Sequence, residues 1–181
     1  MSKYYLFDTN TFITPFNSYY SFDLAPNFWA GIKDKIEDGT IPVLDKVYDE
    51  LIKGNDDKPR NDKSKDDKLR KWLLSLDIRN KVVHKTPSII TKYSEILGYI
   101  QTSGLYKPKA LTEWSNIQVA DPWLIAAACV NQYAIVTFET PNGNLSPTSP
   151  SARPKIPDIS KVFGVECTGL FEVMRRLSIK I

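Results

Sequence analysis

Four acidic residues stand where a folded chain could use them together. Asp8 ends the apolar stretch "YYLF", Glu50 lies in "VYDELI", Asp121 opens "ADPWLIAAACVN", and Glu139 follows "AIVTF". Carboxylates that crowd together raise one another's pKa unless a cation neutralises them. An oxygen-rich donor set without nearby His or Cys suits Mg²⁺ or Mn²⁺. Such an ion can hold a phosphodiester, lower the pKa of a water nucleophile and stabilise a leaving oxygen. Each acid also has a plain reading. Asp8 could bond its own backbone in a turn, and Glu50 could be a solvated helix residue. Asp121, before Pro122, could be nothing more than a helix N-cap. Glu139 could simply open a surface loop.

The elements that carry these acids are readable in outline. "KYYLFD" and "YAIVTFET" read as buried strands from their aromatic and β-branched content, and each ends on an acid. "APNFWAGIKDKIEDG" reads as a helix with Pro26 in its first turn, Phe28, Trp29, Ile32 and Ile36 on one face, and Gly39 as its stop. "TIPVLDKVYDELIKG" reads as a short extended piece followed by a helix with Val47 and Leu51 inward and Gly54 as its end. Residues 55–68 read as a polar loop or helix start, and Leu69, Trp72, Leu73 and Leu76 resume helical spacing. "KVVHKT" suggests a brief strand. "TPSIITKYSEILGYIQTSG" suggests a long helix capped by Thr86, with a stripe from Ile89 to Ile100, and "KALTEWSNI" a further helix. Residues 140–157 hold five prolines and no apolar period, so they read as one long loop. "GVEC" and "TGLFEVMRRL" close the chain as a short strand and a helix capped by Thr168.

Strands separated by helices imply an α/β fold with a mainly parallel sheet. In such sheets sites form beyond the carboxyl ends of the strands, where Asp8 and Glu139 fall. The 181 residues suit a single domain, 1–181. No apolar run reaches the ~18 residues needed to span a membrane. The N-terminus lacks a signal-peptide pattern, so a cytoplasmic location is expected. Cys129 and Cys167, without CxxC and with one histidine in the chain, do not make a zinc site and read as reduced core residues. A net charge of +3 permits a nucleic-acid substrate without arguing for one.

"LFDTNTFI", "VYDEL", "ADPWLIAAA" and "IVTFE" resemble, in order, the acidic motifs of PIN domains, as found in VapC-type toxins and related nucleases. "DTN" alone says little; four motifs in order say more. The resemblance covers nearly the whole chain and implies a three-layer α/β/α sandwich. It implies that Asp8, Glu50, Asp121 and Glu139 are catalytic metal ligands for Mg²⁺ or Mn²⁺, directly or through water. Thr137 and Asn10 would support the site. The implied activity is endoribonuclease cleavage of RNA by a metal-activated water, leaving 5′-phosphate and 3′-hydroxyl ends. The implied partners are an RNA substrate, a cognate antitoxin and a second copy in a homodimer. Two features depart from the pattern: Pro122 after the third acid, and the length of the 140–157 loop. Both point to a divergent branch. A catalytically silent PIN-like module that binds RNA or protein is the alternative. Phosphoryl transfer through Asp8 in the haloacid-dehalogenase manner expects Asp-x-Asp-x-Thr, which Asp8-Thr9-Asn10-Thr11-Phe12 does not supply.

Other polar residues have two readings each. Lys46 and Lys53 flank Glu50 and could meet phosphates or be solvated. Arg153 and Lys155 could contact phosphate from the long loop. His84, among valines, reads as structural in preference to a catalytic base. Trp123 reads as core in preference to a base-stacking surface. Asp158 reads as a helix cap or an accessory acid, and Asp49 as solvated.

Overall fold

The computed structural model describes residues 4–53 and 63–181, with residues 63–67 described by their backbone alone. Strand β1 (Tyr5–Phe7) leads into α1 (Thr9–Ser18), and α2 (Pro26–Glu37) into β2 (Val43–Leu44). Then follow α3 (Asp45–Lys53), α4 (Lys63–Leu74), β3 (Lys81–Val82), α5 (Pro87–Thr102) and α6 (Pro108–Trp114). The last part runs α7 (Asp121–Asn131), β4 (Ala134–Val136), α8 (Ile156–Val162), β5 (Cys167–Thr168) and α9 (Leu170–Arg176). The fold is α/β, and every strand pair is parallel. β4 lies between β1 and β5, while β2 pairs with β3. The Tyr5 N–H donates to Thr40 O at 3.3 Å, which lays the β2–β3 piece alongside β1.

Strands β1, β2 and β4 are short and buried on both faces, as apolar runs such as "YLF" and "AIV" require. The most buried helix is α7. Its residues 122–128 are all buried, and a helix apolar on every side belongs inside a domain. Helix α2 presents Phe28, Trp29, Ile32 and Ile36 inward, as its spacing predicts. Trp29 meets Phe16, Phe22 and Trp72 in an aromatic cluster that joins α1, α2 and α4. Gly39 and Gly104 take positive φ just past the ends of α2 and α5, a position where a side chain would be strained. No helix among the described residues is long and apolar enough to cross a membrane.

Some local expectations change. α1 is a helix over a stretch for which the sequence suggested no element; its β-branched run and internal Pro15 both disfavour helix locally. It forms because Phe12 and Phe16, one turn apart, are both buried in the core. Thr86 occupies the N-cap of α5 but makes no side-chain cap bond. The N-cap of α9 is Gly169, since Thr168 pairs in β5, which runs from Cys167 to Thr168 and not over 164–167. The expected stop at Gly54 lies outside the described residues, as do residues 55–62 of the polar segment; from Lys63 that segment is helix.

Ile125 is fully buried in α7, whereas Ile90 on α5 is 42% exposed. Ile125→Ala should therefore cost about 2–5 kcal/mol in denaturant unfolding. Ile90→Ala should stay within about 0.5 kcal/mol of wild type.

Candidate active site

Parallel pairing sets the centre of the site. Phe7 lies opposite Val136 in the β1–β4 register, so the next rung puts Asp8 beside Thr137 at the carboxyl ends of both strands. The Asp8 N–H donates to Val136 O at 3.0 Å, and Thr137 Oγ1 donates to Asp8 Oδ2 at 3.0 Å. The same Thr137 oxygen accepts the Glu139 N–H at 3.1 Å, so one hydroxyl links the first acid to the turn bearing the fourth. Thr11 pins the start of α1 to the same strand through Val136 O, at 2.9 Å. Asp8 is only 4% exposed and stands at the N-cap of α1, yet its carboxylate makes no cap hydrogen bond. The Asn10 N–H also acts on the Asp8 carboxylate, so a local turn contact accounts for part of its setting and Thr137 for the rest.

Glu50 bridges the neighbours of two other acids. Thr9 Oγ1 donates to Glu50 Oε2 at 2.5 Å, and the Ala120 N–H donates to Oε1 at 3.1 Å. Asp121 is the first residue of α7, with Ala120 as the N-cap, so Asp121 is not the cap that the Asp-Pro pair suggested. Glu50 supplies a negative acceptor there instead, where the helix dipole favours one. It is not simply a solvated helix residue.

Helix α3 is tied to this entrance at two further points. Lys46, one turn before Glu50 and only 7% exposed, donates from Nζ to Ile117 O at 2.6 Å. Lys46 is thus neither solvated nor available to a phosphate. Asp45 accepts the His84 N–H at 3.2 Å and lies 2.8 Å from His84 Nδ1. His84 stands edge-on to Trp123, and Tyr93 stacks flat on Trp123 with centroids 3.7 Å apart. The aromatic bracket fixes the first turn of α7, and His84 and Trp123 are structural as expected.

The four acids share one electrostatic neighbourhood. Burial pushes Asp121 up to about 7, and Asp8, Glu139 and Glu50 push in the same direction while Lys155 opposes. Burial likewise pushes Asp8 up to about 6, with Glu139 and Glu50 adding and the Thr137 hydroxyl and Asn10 N–H opposing. They do not share a coordination point as they stand. Among the described residues no three of His, Cys, Asp or Glu are arranged to hold a metal ion. Glu50 is held by Thr9 and Ala120, and Glu139 by Lys155 Nζ at 2.9 Å and the Ile156 N–H at 2.8 Å. The donor types, all carboxylate oxygen around two buried acids, suit a hard divalent cation.

A cleft of about 340 Å³ opens beside Asp8, lined also by Asn10, Thr14, Phe138, Glu139, Thr140 and Lys155. Glu50 and Asp121 do not line it. The loop expected over 140–157 ends at 155, because 156 and 157 open α8, and residues 140–155 form an anchored loop. Ser151 bonds Leu105 O and the Lys107 N–H, and Asp158 accepts the Asn142 N–H. Asp158 is thus a loop anchor, neither the cap of α8, which is Lys155, nor a fifth site acid. Asp49 and Arg153 are exposed. Thr9 and Thr11 were not legible as site residues; the only signal was two further hydroxyls in the "DTNT" stretch after Asp8.

A family model described as a domain of unknown function (DUF4411) matches residues 5–181. The chain belongs to the DUF4411 family. No curated protein matches it. The matched region contains all four acids and their partners, so the site lies wholly within the DUF4411 domain.

Raised carboxylates make the metal-free DUF4411 chain less stable as pH rises. The folded state keeps protons on Asp8 and Asp121 that the unfolded chain releases near pH ~4. Their contribution is complete below that point and is lost as pH climbs through about 6 and about 7. Asp121→Asn should therefore gain roughly 2–4 kcal/mol over wild type at pH 8 and almost nothing at pH 4. Denaturant unfolding in EDTA checks this; a difference independent of pH would show that Asp121 is not held protonated by its neighbours.

Proposed function

We propose that this DUF4411 protein is a Mg²⁺- or Mn²⁺-dependent endoribonuclease of PIN type. The observation that supports the proposal is that Asp8, just past the carboxyl end of β1, and Asp121, at the start of α7, are both buried within the charge of Glu50 and Glu139. Ordinary structural carboxylates are solvated or paired; buried ones next to like charges mark sites that use the charge. A three-layer α/β/α sandwich is supported by the parallel β1–β4–β5 order with β2–β3 alongside β1.

Asp8 and Asp121 form the centre that would hold the ion, with Glu50 and Glu139 around them. When bound, the ion would activate a water and stabilise the leaving oxygen of a phosphodiester. The chain's own groups do the positioning. Thr137 orients Asp8, and Thr9 and the Ala120 N–H orient Glu50. Asn10 lines the cleft where a substrate would lie. The resemblance to VapC-type sequences extends the reading to a toxin restrained by a cognate antitoxin, cytoplasmic and able to form a homodimer. The alternative, a silent RNA- or protein-binding module, is favoured by one observation: the oxygens of both Glu139 and Glu50 are already engaged.

The purified protein should cleave single-stranded RNA with Mg²⁺ or Mn²⁺ and stop in EDTA. Asp8→Asn should lower the rate by more than the ~10–100-fold that outer partners of metal sites typically cost, with an unchanged circular-dichroism spectrum. Cleavage that persists in EDTA, or in the mutant, would remove the mechanism. RNA bound but left uncut would favour the silent module.

A further inference from the structure

Glu139 is held by a cation as well as a backbone N–H, whereas Glu50, whose two oxygens are also engaged, is held by a hydroxyl and a backbone N–H. Lys155 donates to Oε1 and the Ile156 N–H to Oε2, so both oxygens are closed by two consecutive residues. That pair arrives at the end of the anchored loop, which is fastened to residues 105–107 through Ser151 and to Asp158 through Asn142. The Lys155 side chain is 39% exposed and lines the cleft together with Asp8 and Asn10. Its charge reaches Asp121 and opposes the upward push that the acids exert there. An ammonium has three donors. Among the described residues Lys155 uses one of them, on Glu139.

A free surface lysine pairs weakly because its long chain must be ordered for each contact. Here the partner carboxylate is itself fixed by a backbone N–H, so the ammonium is held in place before any ligand arrives. A cleft walled by acids repels a polyanion, and nucleic acid binds chiefly through phosphate neutralisation by cations. Among the described residues, Lys155 is the positive side chain that lines this cleft.

We infer that Glu139 serves as the holder of Lys155 and not as a metal ligand, and that Lys155 binds a backbone phosphate of single-stranded RNA beside Asp8. The inference rests on the nuclease reading of the site and names its phosphate contact and its ligand set. Glu139 is then a positioning residue that acts through Lys155, and the divalent ion falls to Asp8 and Asp121, with Glu50 held beside them by Thr9 and the Ala120 N–H.

Two binding measurements test it, neither of which requires cleavage. In Mn²⁺ titration calorimetry, Glu139→Gln should keep the wild-type affinity within a few-fold, while Asp8→Asn weakens it tenfold or more. In EDTA, Lys155→Gln should weaken binding of a short mixed-sequence single-stranded RNA several-fold. It should also flatten the dependence of log affinity on log salt by roughly 0.7, the share of one phosphate contact, and Lys155→Arg should restore both. If Glu139→Gln loses Mn²⁺ as Asp8→Asn does, Glu139 is a ligand and the inference is overturned. An unchanged salt slope in Lys155→Gln makes the ion pair merely structural and overturns it equally. If wild type binds no Mn²⁺, the metal reading fails by itself, and the RNA salt slope still decides the role of Lys155.

Discussion

The arrangement depends on burying Asp8 and Asp121 within one field of acids. Two carboxylates in one poorly solvated place cannot both ionise without a compensating charge. The fold supplies partial compensation from three directions: the Thr137 hydroxyl on Asp8, the Asn10 N–H nearby, and the Lys155 charge acting on Asp121. None of these removes the conflict, since both acids remain well above the ordinary carboxylate range. A core built for stability alone would put apolar side chains here. The unfavourable field is the property that a bound cation would relieve, and near neutrality only a small proton release would accompany that binding.

The scaffold holds this conflict in place by covalent and helical geometry more than by any single strong bond. Parallel register fixes Asp8 and Thr137 side by side, because adjacent parallel strands end at the same edge. Helix α3 fixes Asp121 indirectly. It takes the Ala120 N–H with Glu50, the Ile117 carbonyl with Lys46, and the His84–Trp123 pair through Asp45. Three ties from one helix to one short approach segment leave the first turn of α7 little freedom. The neutral, fully apolar body of α7 then anchors that turn in the core.

Legibility in the sequence followed the range of the forces involved. The strands, α2, α5 and α7 were readable because their apolar periods are local and strong. α1 was not, because Pro15 and the β-branched run argue locally against helix while burial of Phe12 and Phe16 decides the matter at long range. The four acids were readable as candidates from type and position. Their partners were not, since Thr9 to Glu50 and Thr137 to Asp8 are contacts across 41 and 129 residues. Lys46 misled for the same reason: a lysine beside a site acid reads as solvated or substrate-facing until a carbonyl 71 residues away is seen to accept its proton. Asp121 read as a cap because Asp-Pro is a local signal, whereas the acceptor at that helix start comes from Glu50 on another element.

The closure of Glu139 bears on whether the site is silent or active. If four carboxylates had to contact the ion, a chain with Glu139 locked to Lys155 and Ile156 would be disarmed. Mg²⁺ makes no such demand; it keeps several waters and is commonly held by one or two carboxylates together with substrate phosphate oxygens. On the proposed reading Asp8 and Asp121 would meet that requirement, with Glu50 acting on both through its charge. A second carboxylate free in the cleft beside Asp8 would add negative charge where a polyanion has to approach. Turning Glu139 onto a lysine converts that liability into an oriented cation. The closed Glu139 is therefore consistent with catalysis by fewer acidic ligands, and it weighs less for the silent module than the engaged oxygens first suggest.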